Sequence, residues 1–88
     1  MSAELKKLLE NEAELNEWIK LSFYDEASKD GKIDQIGLIT TLGKLDWGNK
    51  KPTDEDVQKY FKGLGKDKIT YDEFHAYLKQ VFESLRNA

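Results

Sequence analysis

Two short turns constrain this chain more than any other feature of it. Gly31-Lys32-Ile33-Asp34 and Asp67-Lys68-Ile69-Thr70 each place a single isoleucine between a polar turn and a residue suited to capping a helix. Both turns are flanked by segments with helical periodicity. The chain therefore reads as two similar halves: a helix, a short polar loop ending in isoleucine, and a second helix.

The first segment spans about Ala3 to Tyr24. Leu5, Leu8, Leu15, Ile19 and Phe23 recur at helical spacing, and Leu9 and Trp18 widen the stripe. Ser28 to Lys32 then forms a polar turn. A second helix starts near Asp34, a good N-cap, with Ile36, Leu38, Ile39, Leu42 and Leu45 as its apolar face. Gly37 and the Thr40-Thr41 pair make it a weak helix former, so packing has to hold it. Asp46 to Pro52 reads as a linker. A third helix opens at Thr53 with three acids in its first turn, presents Val57, Tyr60, Phe61 and Leu64, and closes at Gly63 and Gly65. The fourth opens on Thr70-Tyr71-Asp72-Glu73, a capping-box pattern, and carries Phe74, Tyr77, Leu78, Val81, Phe82 and Leu85. The expectation is an all-α fold of four helices in two pairs.

At 88 residues, residues 1–88 fit one domain with a modest core. The chain has no cysteine, so a disulfide framework and a thiolate metal site are both excluded. No apolar run is long enough to span a bilayer and no signal peptide is visible, so a soluble intracellular protein is expected. With 17 acidic and 14 basic side chains the net charge is −3, which argues against a nucleic-acid binder. The charge is uneven: nine acids and five lysines up to Asp34, eight acids and nine bases after it. An acidic first half suits a basic partner, although a solvated helix face would look the same.

Catalytic motifs are missing. His75 is the only histidine and has no second histidine for a zinc site. Ser22, Ser28 and Ser84 lack a glycine elbow. Gly63-Leu64-Gly65-Lys66 lacks the spacing of a phosphate-binding loop. The chain is not expected to be an enzyme or to carry a cofactor.

The isoleucine turns resemble EF-hand loops. In that family the isoleucine occupies the eighth loop position, and the two isoleucines pair in a minimal antiparallel ladder. Ile33 through Leu42, together with Pro52-Thr53-Asp54-Glu55 and Val57, looks like a lobe of calmodulin, and Ile69-Thr70-Tyr71-Asp72-Glu73-Phe74 is similar to the family's pattern around its last ligand. The resemblance covers nearly the whole chain. It implies a pair of EF-hand helix–loop–helix units with a two-stranded ladder between the loops.

The departures bear on function. An EF-hand loop offers oxygens at its first, third, fifth, seventh and ninth positions and a bidentate glutamate at the twelfth. Counted back from Ile33, the first loop begins at Glu26, with Ser28 and Asp30 third and fifth, Gly31 at the required glycine, and Gly37 where the glutamate belongs. In the second loop Glu73 is in place. Only Gly65-Lys66-Asp67-Lys68 separate Leu64 from Ile69, however, and two of those four residues are lysines. The resemblance thus implies two loops that hold no metal. Weak binding through Asp25, Glu26, Asp30 and Asp34 is the competing reading.

By that resemblance the chain is a binding module whose groove accepts an amphipathic helix. Leu38, Leu42, Leu45, Tyr60, Leu64, Tyr77 and Leu78 would line the groove. Several of these equally suit a core, and Tyr60 and Tyr77 are the better contacts because tyrosine suits a half-wet surface. The groove lacks the methionines of calcium sensors, which points to one constant partner. The chain is similar to the small single-lobe light chains of unconventional myosins, which implies a basic IQ-type helix as partner and a cytoplasmic, cytoskeleton-associated setting. The alternative is an S100-like homodimeric scaffold.

Overall fold

A computed structural model describes residues 2–87. Seven elements follow one another: α1 Ala3–Glu10, α2 Glu12–Glu26, β1 Ile33–Asp34, α3 Gln35–Leu42, α4 Asp54–Leu64, β2 Lys68–Ile69 and α5 Tyr71–Arg86. The two isoleucine turns are the two strands. They pair antiparallel with Ile33 opposite Ile69 and Asp34 opposite Lys68, and both isoleucines are fully buried. This ladder joins α2–β1–α3 to α4–β2–α5, and helices pack around it.

The helix starts follow the capping chemistry of the sequence. Asp34 Oδ1 accepts the Gly37 N–H at 2.8 Å. Thr53 with Asp56, and Thr70 with Glu73, close full capping boxes. Gly65 ends α4 in the left-handed conformation at φ 67°.

The first helix departs from expectation, because the predicted single segment is two helices. Asn11 stands between them with φ −129° and ψ 102°. Its N–H bonds Lys7 O at 3.0 Å, ending α1, while its side-chain oxygen accepts the Glu14 N–H at 3.2 Å, starting α2. Asparagine breaks helices in this way because its short amide competes for backbone partners. Tertiary packing favours the break as well. An unbroken helix over 3–26 would run about 36 Å, beyond the 32 Å longest dimension of the molecule. Folded back, α1 places Leu5 and Leu8 in the core.

One cluster of buried side chains forms that core. Phe23 meets Tyr71 and Phe74 with ring centroids 5.2 and 5.3 Å apart, beneath the ladder. At the other end Trp47 packs edge-on to Phe82 at 5.2 Å, and Trp18 lies 6.0 Å from Phe82. Trp47 sits in the linker yet is only 1% exposed, and its indole N–H donates to Leu42 O at 2.7 Å. Ile36, expected on the buried face of its helix, is 74% exposed. As the second residue of α3 it precedes the turn that packs inward.

Candidate functional site

The two loops meet at the ladder and share a network of charges. α2 ends at Glu26 and the chain turns through Ser28–Lys32, with Gly31 at φ 75°, a backbone conformation that favours glycine. The Ser28 hydroxyl donates to the Asp30 carboxylate and lies 3.0 Å from Lys32 O. The Lys32 N–H donates to Asp30 Oδ1 at 3.2 Å. From the second loop the Lys68 ammonium reaches Asp30 Oδ2 at 3.1 Å and Ser28 Oγ at 3.4 Å. The hydrogen bond from Ser28, and then the one from Lys68, hold the Asp30 carboxyl down at about 2. A tethered ammonium therefore lies against the Ser28 and Asp30 oxygens of the first loop.

The second loop is arranged alike. Lys66 Nζ lies 2.9 Å from Glu73 Oε2, and Glu73 Oε1 accepts the Thr70 N–H at 3.0 Å. The Thr70 N–H, and after it Lys66, lower the Glu73 carboxyl below its ordinary value. Two further acids of the first loop have separate partners: Asp25 faces Lys44 at 3.5 Å and Asp34 caps α3. Among the described residues, no three His, Asp or Glu side chains gather in a way that could hold a metal ion.

Gly37, where the last ligand would stand, has a packing role. A Cβ built on it would lie 2.5 Å from Ile33 Cγ1 and 3.2 Å from Ile33 Cδ1. The ladder isoleucine occupies the space that any side chain at position 37 requires.

The seven residues expected to line a groove divide between two environments. Leu38, Leu42, Leu45 and Leu78 are core residues here, none more than 6% exposed, and do not line an open groove. Their side chains fill the interior with Phe61, Phe74, Phe82 and Trp47, as close packing of so small a core requires. Leu64 is 38% exposed at the end of α4. Tyr60 and Tyr77 are half-buried and packed against each other, centroids 4.5 Å apart and planes tilted by 45°. They line an open groove of about 480 Å³ between the linker, α4 and α5, with Lys50, Lys51, Pro52, Asp56, Val81 and Leu85 on its walls. Burial, and then the nearby Asp56 charge, push the Tyr77 hydroxyl up to about 12. Tyr60 donates its hydroxyl hydrogen to Glu73 O at 3.2 Å. The groove thus offers aromatic faces and aliphatic walls, rimmed by charge of both signs. Such a surface suits the side of a helix, and its breadth does not enclose a small molecule.

The sequence pattern missed two features of this region. The turn lysines read only as part of a loop that holds no metal, whereas in the fold they pair with Glu73 and Asp30. Trp47 read as linker, and its large apolar area was the signal that it would be buried. His75 Nε2 lies 3.1 Å from Asn16 Oδ1 and joins α5 to α2. No helix among the described residues is long and apolar enough to cross a membrane. No protein-family model, curated protein or solved structure matches this chain.

Proposed function

We propose that this chain is a calcium-independent binding module of the EF-hand-pair type. In this reading it is a light-chain-like subunit that holds a basic amphipathic helix, of the IQ type of unconventional myosins, in the cytoplasm and on the cytoskeleton. It is neither an enzyme nor a nucleic-acid binder. The observation that carries this reading is the Lys68 ammonium set on Ser28 and Asp30 across the Ile33–Ile69 ladder. A pair of loops tied by its own cation needs no metal to hold its helices in place, and can keep a partner helix at any calcium level. The Tyr60–Tyr77 groove supplies an apolar contact surface, and the acidic first half of the chain complements a basic helix.

Calorimetric titration in chelator against IQ-type peptides tests the reading. Binding should occur without calcium and change little when it is added. Salt should weaken it only in part, since apolar burial supplies most of the affinity. Tyr77→Ala should cost about 1–3 kcal/mol of binding. It should also lower the melt, because Tyr77 packs on Tyr60, so affinities need to be compared well below the transition. No heat with any IQ peptide, or binding only with calcium, would defeat the reading.

The S100-like alternative draws on a different observation. Leu21, Tyr24 and Ile36 on α2 and α3 are 54%, 69% and 74% exposed, and a second copy could cover them. Light scattering on the free protein separates the two readings: a monomer at micromolar concentration excludes the stable dimer.

A further inference from the structure

We infer that the seat of α1 is the inner part of the partner-helix site, and that α1 is an internal competitor which the partner displaces. This rests on the proposed binding of a basic amphipathic helix and names where the helix goes. α1 lies across one end of the molecule. Its N-terminus is held where the Ser2 N–H donates to Asp46 O at 3.3 Å, at the start of the linker. Its C-terminus is held where Arg86 Nε–H donates to Leu9 O at 3.0 Å, at the end of α5. The same linker and the same last turns of α5 form walls of the tyrosine groove, through Lys50 to Pro52, Val81 and Leu85. The seat and the groove therefore draw on the same two segments, the linker and the last turns of α5.

α1 itself is suited to leaving. It has eight residues, and isolated helices that short are marginal in water. It joins α2 through Asn11, which is exposed and non-helical. It holds its seat by two leucines three positions apart, Leu5 and Leu8, fully or nearly buried, while Lys7 outside them pairs with Glu14 at 3.5 Å. What fits the seat can be read from its occupant: an amphipathic helix with large aliphatic side chains three or four apart and a basic residue to take the place of Lys7. That chemistry matches the basic partner helix and extends its contact from the half-wet tyrosines to the leucine sockets.

The test uses the full chain, a synthetic amphipathic peptide of leucine and lysine at helical spacing, and two variants of opposite expected sign. Glu12→Pro puts proline at the first position of α2, where it is tolerated. It also holds Asn11 in its extended conformation and favours docked α1. Leu5→Ala loosens α1. Apparent affinity scales with the fraction of open seats, so Leu5→Ala should tighten the peptide by about tenfold or more, although it lowers the melt, and Glu12→Pro should weaken it. In the wild type, saturating peptide should strip hydrogen-exchange protection from the Leu8 and Leu9 amides and leave Ile19 and Phe23 protected. If the peptide binds but α1 stays protected and Leu5→Ala fails to tighten it, the inference is overturned and the binding-module reading stands. A Leu5→Ala dimer with α1 protected would give the seat to a second copy and overturn it too. No binding by any of the three proteins removes both.

Discussion

At Gly37 two effects oppose each other. Alanine would gain about 1 kcal/mol of helix propensity, but its methyl would stand 2.5 Å from a side-chain carbon of the fully buried Ile33. Because Ile33 is buried, its side chain cannot rotate away without displacing close-packed neighbours. Overpacking of this kind costs about 1–3 kcal/mol, and the steric term wins. Gly37→Ala should lower stability in urea denaturation. Gly37→Glu, which restores the residue type of an EF-hand's last ligand, should lower it further and produce no calcium response in amide NMR spectra. A stabilised Gly37→Ala protein would show that the isoleucine has room to move.

At the scale of elements, stability rests on the ends of short helices. α3 has eight residues and α5 sixteen, and each begins directly at a strand, so its cap also fixes where the ladder stops. Thr70 serves both purposes, with its side chain accepting the Glu73 N–H and its own N–H bonding the Glu73 carboxylate. Thr70→Ala should cost about 1 kcal/mol in chemical denaturation. It should also release Glu73 from part of its hold, which raises that carboxyl toward its ordinary value in a carbon-detected NMR titration. An unchanged Glu73 would mean that the backbone N–H of residue 70, which alanine keeps, and Lys66 hold it without the hydroxyl. The break at Asn11 belongs to this scale as well, since it sets the direction of α1 and so decides which surface α1 covers.

For the whole molecule, charge placement sets the response to pH. Asp30, Glu73, Asp56 and Glu12 all have carboxyl groups lowered in the folded state by hydrogen bonds and neighbouring cations. Their contribution to stability is complete above the ordinary carboxylate range, near 4, and is lost as pH falls through the folded values, about 2 for Asp30. The melting temperature should therefore be flat above pH 5 or so and fall between about 4 and about 2. These groups are exposed, so salt should blunt the fall. Lys68→Met should make it shallower. A melt equally acid-sensitive without Lys68 would show that the ammonium contributes nothing. Tyr77 acts at the other extreme. Its raised hydroxyl stabilises below the ordinary tyrosine value near 10, and that contribution is lost as pH rises toward about 12. Ultraviolet titration should show an ionisation near 12 that is missing in Tyr77→Phe.

The sequence by itself determined the features that depend on neighbours along the chain. Asp34, Thr53 and Thr70 cap because their side chains reach an N–H three residues on. The left-handed turns at Gly31 and Gly65 follow from glycine's missing Cβ. The pairing of the two isoleucine turns was expected only from their resemblance to EF-hand loops, in which such isoleucines pair. The tertiary structure decided whatever required residues distant in sequence to meet. Nothing near Asn11 showed that a longer helix would overrun the core. Nothing near Trp47 showed that Phe82, thirty-five positions away, would complete its pocket. The leucines expected at a groove were legible as apolar but not as covered, because helical periodicity reports which face is buried and not by what. The Lys68 ammonium meets Ser28 and Asp30 only because the ladder brings loops some forty residues apart into register.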